Sequence, residues 1–223
     1  MATSHRMLPL VSDAPPPSRN SRTPRVCVFC GSSPGVRPGY REAAERFGAA
    51  LVERGLGLVY GGASVGLMGV VADTVLAGGG DVIGVIPRSL VAHDLAHSGV
   101  ADMRVVETLH ERKALMAELS DAFAALPGGP GTLDELAEVI TWAQLGLHTK
   151  PIGLLDVEGY FTTLLAFLDH AADEGFMEIE DRDLILVDDH AGRLLDRLTA
   201  HDGRTRVSLA RRSRLRLRER PGI

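Results

Sequence analysis

Apolar, β-branched runs alternate along the chain with stretches of helical period. "RVCVFC" (25–30) reads as a strand, and a helix is predicted over about 37–54. "GLVYGG" (57–62) is a second strand running into a glycine turn, and "VGLMGVVADTVLAGG" is the helix after it. "DVIGVIP" (81–87) is a strand that a proline ends. A polar loop leads to "MRVVET", a short strand or extended piece, then to the helix "LHERKALMAELS" and the strand "DAFAALPGG". A helix from Thr132, the strand "PIGLLD" (151–156), the helix "YFTTLLAFLDHAADEG", the strand "LILVDD" and a helix over about 190–200 complete the series. Near-continuous apolar strands separated by helices predict a parallel sheet buried on both faces. The expected architecture is α/β: a single doubly wound, Rossmann-like parallel sheet with helices on both faces. No internal repeat or central linker interrupts it, so 25–200 is read as one domain between an N-terminal tail (1–24) and an Arg-rich C-terminal tail (201–223).

Composition agrees with that picture. A chain of 223 residues, 45% hydrophobic with mean hydropathy +0.07, fits one domain with a sizeable core. No apolar run approaches the length of a membrane span. The N-terminal 25 residues hold a short apolar patch and then three prolines, without the apolar core and cleavage site of a secretory signal. A disordered tail and a cytoplasmic location are expected. Charge is uneven: 204–220 holds eight arginines and one glutamate, in a chain of net charge −5. That end could touch nucleic acid or an acidic surface, although a solvated, frayed tail is the plainer reading. The acidic body argues against a dedicated nucleic-acid-binding domain. Cys27 and Cys30 form a C-x-x-C, but on a strand positions i and i+3 face opposite ways, and zinc would need a second pair. They read as two buried small hydrophobes.

Candidate chemistry gathers at the turns. Three Gly/Ser turns follow predicted strands and precede helices: "GSSPG" (31–35), "GGASVG" (61–66) and "PGGPGT" (127–132). Such sheets bind ligands beyond the carboxyl ends of their strands, and helix N-termini there offer backbone N–H groups to anions. Three at one edge point to a phosphorylated ligand held by backbone, although any α/β protein needs some glycine turns. Neither G-x-x-x-x-G-K-[ST] nor an early G-x-G-x-x-G is present, so a P-loop nucleotide triphosphatase and a dinucleotide cofactor are both disfavoured. A nucleoside monophosphate or a sugar phosphate fits better.

"PGGPGTLDE" matches the PGGxGTxxE pattern of the Lonely Guy family, the cytokinin-activating nucleotide phosphoribohydrolases. "CVFCGSSPG", "LVYGGASVGLMGVVAD", "GGDVIGVIP", "LHERKALM" and "EVITWAQLGLHTKPIGLLDVEGYF" resemble the same family, over about residues 25–190. Pro130 and Asp134 stand in slots where members often carry other residues. The resemblance implies a homodimer that hydrolyses the N-glycosidic bond of N6-modified adenosine 5′-monophosphates to free base and ribose 5-phosphate, with no cofactor, metal or membrane partner. Carried over by position, Arg112 and Glu135 would be the catalytic pair. Gly128, Gly129, Gly131 and Thr132 would hold the phosphate, while Gly31, Ser32, Gly61, Gly62 and Met68 would help to form the nucleotide pocket. Members are often labelled lysine decarboxylase, yet neither Lys113 nor Lys150 sits in a convincing pyridoxal-binding context.

The residue types suit the implied reaction. Cleaving a ribosyl–purine bond passes through an oxocarbenium-like state that a carboxylate can stabilise while it orients water, as in glycoside hydrolysis. Glu135 is placed in the first turn of its helix, where the dipole would keep it ionised and favour a base over an acid. Thr132-Leu-Asp-Glu135 is also a capping-box pattern, so the glutamate could serve its own helix instead. Arg112 could fork onto the phosphate or support the departing purine, or simply pair with a surface acid. Lys113 would point about 100° away from it. Leu133, Leu136, Ala137, Ile140 and Leu147 form the expected core stripe of the helix from Thr132, with Trp142 off that stripe, either at a subunit interface or simply partly exposed. His93 and His97 have i, i+4 spacing but no evident third metal ligand. The alternatives are hydrolysis of unmodified AMP, a non-catalytic carrier like the molybdenum-cofactor proteins of similar fold, and a nucleic-acid-associated protein acting through the arginine tail.

Overall fold

The computed structural model describes residues 22–91 and 95–200, so the arginine-rich tail and His93 lie outside the described residues, as does nearly all of the N-terminal tail. Seven strands pair in parallel: β1 (Arg25–Phe29), β2 (Gly57–Tyr60), β3 (Val82–Pro87), β4 (Asp102–Val106), β5 (Ala122–Ala125), β6 (Ile152–Leu155) and β7 (Ile185–Asp188). Their order is β4-β3-β2-β1-β5-β6-β7. The winding direction therefore reverses between β1 and β5, which pair from Val26 with Ala122 to Phe29 with Ala125. The crevice beyond the carboxyl ends of those two strands is where sheets of this kind take ligands.

Both faces of the sheet are covered, as the continuous apolar strands require. On one face α1 (Pro38–Glu53), α2 (Gly66–Ala77) and α8 (Ala191–Thr199) pack on Val26, Val28, Leu58 and Tyr60. On the other, α4 (Leu109–Leu119), α5 (Pro130–Gln144) and α6 (Thr162–Asp173) pack on Cys27, Phe29, Val59 and Phe123. Phe47 of α1 is fully buried, worth about 1.5–3 kcal/mol relative to exposure. Single turns of helix, α3 (Arg88–Val91) and α7 (Ile179–Arg182), follow β3 and α6 where the sequence suggested only loop. Cys27 joins the second cluster and Cys30 the first, so the C-x-x-C straddles the sheet. Burial pushes both thiols far up from their ordinary range.

Two expectations for α5 are corrected. The helix starts at Pro130 with Gly129 as N-cap, not at Thr132. Proline suits that first position because its missing N–H would have no intrahelical partner. The buried face is Thr132, Glu135, Leu136, Val139 and Ile140. Leu133 and Leu147 are 42% and 69% exposed and do not form the core stripe. Trp142 is half-buried against the second cluster. α4 has a true N-cap: Thr108 Oγ1 accepts from the Glu111 backbone N–H (3.1 Å), and Glu111 reaches back to the N–H of Glu107 (2.9 Å).

Candidate active site

The three glycine turns leave β1, β2 and β5 at one edge of the sheet and touch one another. The Gly31 N–H donates to Pro127 O (3.0 Å), and the Leu67 N–H, at the start of α2, donates to Gly31 O (2.9 Å). Ser32 backs onto Gly66, where a Cβ would lie 2.3 Å from the Ser32 carbonyl carbon. Gly128 is closed in by Thr132 Oγ1 and the nitrogen of Gly31, while nothing lies within 4 Å of a Cβ at Gly129 or Gly131. The 127–132 turn thus has a packed side and an open side. The open side carries the first turn of α5, with no side-chain cap and no acid. α2 also begins with neither. First-turn N–H groups have no partner inside their helix, and both ends favour an anion.

Arg112 and Glu135 meet beside these turns. Arg112 Nη1 lies 3.0 Å from Glu135 Oε1, with the two side chains 14% and 10% exposed. Arg112 Nε also donates to Val85 O of β3 (3.2 Å). Its Nη2 rests against Gly61, where a Cβ would be 1.9 Å away and 3.1 Å from Met68 Sδ. Gly62 (φ +76°) faces Ile86 and Met103 instead, and serves the turn rather than the guanidinium. Every residue assigned to the site from sequence is thereby placed at this edge, Gly62 as support.

The electrostatics of Glu135 differ from expectation. With the helix starting at Pro130, Glu135 lies in the second turn, so it is neither a capping-box partner nor a first-turn carboxylate. Burial raises its pKa above the ordinary glutamate value, against the opposing pull of the Arg112 charge. A helix dipole does not hold it ionised; Arg112 does. Lys113, on the neighbouring face of α4, is taken by Asp134 Oδ2 (3.0 Å) and Glu138 Oε2 (3.1 Å). Burial pulls its ammonium down, and those hydrogen bonds more than offset this, leaving it above the usual lysine value. Lys150 Nζ donates to Ala117 O (2.5 Å), between α4 and the segment leading into β6. His97 Nε2 lies 3.0 Å from Asp73 Oδ1, and its Nδ1 accepts from the Gly99 N–H (3.1 Å). Among the described residues there is no cluster of metal-ligating side chains. Tyr160 lies in a family-like segment that gives it no role; its hydroxyl donates to Gly128 O (2.5 Å).

Fold and site together define a Rossmann-like α/β protein with a glycine-lined crevice at the switch point and a buried Arg–Glu pair beside it. The family model described as "Possible lysine decarboxylase" matches residues 68–198. LOG7 of Arabidopsis thaliana, a cytokinin riboside 5′-monophosphate phosphoribohydrolase, is 52% identical over 182 residues, 82% of this chain and 84% of that protein. LOG of Oryza sativa subsp. japonica, named for the same activity, is 54% identical over 168 residues, 75% of this chain and 69% of that protein. The solved molybdenum cofactor binding protein of Rippkaea orientalis superposes with TM-score 0.62 at 21% identity, over 80% of this chain and 97% of its own, a likeness of fold. The chain belongs to the LOG family of cytokinin riboside 5′-monophosphate phosphoribohydrolases.

Proposed function

We propose that this protein hydrolyses the N-glycosidic bond of N6-substituted adenosine 5′-monophosphates, releasing the free base and ribose 5-phosphate. The observation that carries the reading is the 3.0 Å Arg112–Glu135 pair at the mouth of three glycine turns. In the proposed reaction the 5′-phosphate sits against the N–H groups of Gly129, Gly131 and Thr132. The C1′–N9 bond breaks with its electron pair leaving on the purine. Water adds its oxygen to C1′, Glu135 takes the water proton, and that proton passes to the departing base. Burial makes Glu135 a stronger base than an ordinary glutamate, and Arg112 keeps it charged before the water arrives. The guanidinium is fixed at Val85 O and Gly61, so its remaining N–H edge is preset for the substrate. Preset donors need no reorganisation in the transition state.

The homodimer belongs to this reading. It is supported by the outer face of the second helical layer, where α6 has no fully buried residue and Leu109 and Phe167 are 58% and 63% exposed. A cytoplasmic location belongs to it as well, in keeping with two free buried thiols; no described helix is long and apolar enough to cross a membrane.

The test is product analysis without added metal. Purified protein is incubated with N6-isopentenyladenosine monophosphate or with AMP, and free base is followed by chromatography. Faster release from the modified nucleotide is expected. Release from AMP alone would make the enzyme a general nucleotide N-glycosidase, and bound nucleotide without release would make it a carrier. Arg112→Ala and Glu135→Ala are each expected to stay folded and lose turnover.

A further inference from the structure

The turn between β6 and α6 has features that its connecting role does not require. Glu158 (φ +53°) is the one non-glycine residue with positive φ among the described residues, and Gly159 (φ +72°) follows it. L-residues rarely adopt that conformation unless their surroundings impose it. Here the surroundings do so. Asp156 Oδ1 accepts from the Phe161 N–H (2.7 Å), and the Tyr160 N–H donates to Val157 O (3.0 Å). The Glu158 carboxylate meets Arg37 Nη1 (3.1 Å) and lies where a Cβ on Gly39 would be. The bent turn presents Tyr160 outward. Its ring stands edge-on to Tyr40 (5.5 Å, 79°) and Phe161 (5.1 Å, 88°), and Tyr40 packs against Gly35 of the first glycine turn. Its hydroxyl ends on Gly128 O.

That carbonyl belongs to the peptide joining Gly128 to Gly129. The peptide is planar and trans, so the C=O of Gly128 and the N–H of Gly129 point in opposite directions. A Gly-Gly linkage resists rotation of that plane less than any other. Holding Gly128 O on one side therefore aims the Gly129 N–H to the other, and the space around Gly129 is open. We infer that Tyr160 is a positioning residue: its hydroxyl locks the Gly128–Gly129 peptide so that the Gly129 N–H faces the incoming 5′-phosphate. The inference rests on the reading of the 127–132 loop as the phosphate site given under Proposed function.

Tyr160→Phe removes the hydroxyl and keeps the ring contacts. Equilibrium binding of AMP and of adenosine is measured for wild type and variant, alongside kcat and KM for N6-isopentenyladenosine monophosphate. The expected result is AMP affinity lowered about three- to tenfold, the worth of one hydrogen bond. Adenosine affinity stays unchanged, and the kinetic loss falls in KM with kcat nearly intact. Unchanged AMP affinity would overturn the inference, as would equal losses for AMP and adenosine, which a general loosening of the fold would produce. A wild type that binds AMP and hydrolyses nothing would remove the hydrolase reading while the affinity comparison still decides the role of Tyr160. A wild type that binds no nucleotide would overturn both.

Discussion

Replacing Gly61 by alanine puts a methyl group into space that Arg112 fills. The new Cβ would lie 1.9 Å from Arg112 Nη2, against an ordinary contact of 3.4 Å or more. The guanidinium must then retreat by about 1.5 Å. It cannot do so and keep both its 3.0 Å contact with Glu135 and its 3.2 Å bond to Val85 O. A misplacement of about 1 Å at a reacting site can cost on the order of 10²-fold in rate, or roughly 2.7 kcal/mol of transition-state stabilisation. The fold should survive, because Gly61 has no positive φ and the displaced atoms end a flexible side chain. Loosening a charge-assisted bond at two nearly buried groups costs about 1.5–3 kcal/mol. Gly61→Ala is therefore expected to unfold in urea somewhat earlier than wild type and to show kcat about 10²-fold lower. Combined with Arg112→Ala it should add almost nothing, since both changes act through one guanidinium. A Gly61→Ala enzyme with kcat within about twofold of wild type would refute the placement of Arg112 in the reaction.

Further expectations concern the neighbouring elements. Gly131→Ala meets nothing within 4 Å in the free protein, so it should stabilise the fold by about 0.4–1 kcal/mol in urea titrations through the unfolded state. The same methyl stands where the phosphate is proposed, so KM for the nucleotide should rise; a stabilised variant with unchanged KM would move the phosphate elsewhere. Because the Glu135 pKa is raised, the acid limb of kcat/KM should lie above the ordinary glutamate range. The folded state also binds that proton more tightly than the unfolded chain. The stability from Glu135 is thus fully present below the unfolded pKa and lost as pH rises through the folded one. Subtracting the urea-derived stability curve of Glu135→Gln should expose that fall, and a rise in the same window would contradict the burial argument. Thr108→Ala removes the cap of α4 and should cost about 1 kcal/mol, read as a lower urea midpoint at unchanged slope.

The alternation of strands and helices was legible because a parallel strand buried on both faces is apolar, as β2 and β5 are throughout and β1 is after Arg25. β4 was less legible, being half-exposed at the sheet edge. The glycine turns, Arg112 and Glu135 were found by motif, and the structure brings them together. The inward face of α5 departs from its sequence pattern for an identifiable reason. Positions 132, 135, 136, 139 and 140 keep perfect helical spacing, but two of them are Thr132 and Glu135. Counting those as polar rotates the apparent stripe toward Leu133 and Leu147. The early start at Pro130 was readable from the Gly-Pro pair, yet the Thr-x-x-Glu pattern competed with it. The genuine capping box, Thr108 to Glu111, was equally present in the sequence. The raised pKa of Glu135 and the reach of Tyr160 were not readable, since both depend on elements distant along the chain.

The corrected start of α5 removes a conflict that the sequence posed. A phosphate and a carboxylate both favour a helix N-terminus, and a glutamate in the first turn would compete with the anion it is meant to help cleave. Starting the helix at Pro130 places only Pro130, Gly131, Thr132 and Leu133 in that turn, none of them acidic. In the proposed reading the free N–H groups are left to the phosphate. Glu135, one turn later and on the inward face, is removed from the dipole's strongest field and given to Arg112 instead. Burial makes Glu135 harder to ionise and leaves its charge dependent on Arg112, a residue from another element. In the proposed reading the helix start grips the phosphate and the inward face one turn later carries the base, so changes to the Gly-Gly-Pro-Gly run should fall mainly on binding, whereas changes at Gly61 should fall mainly on kcat.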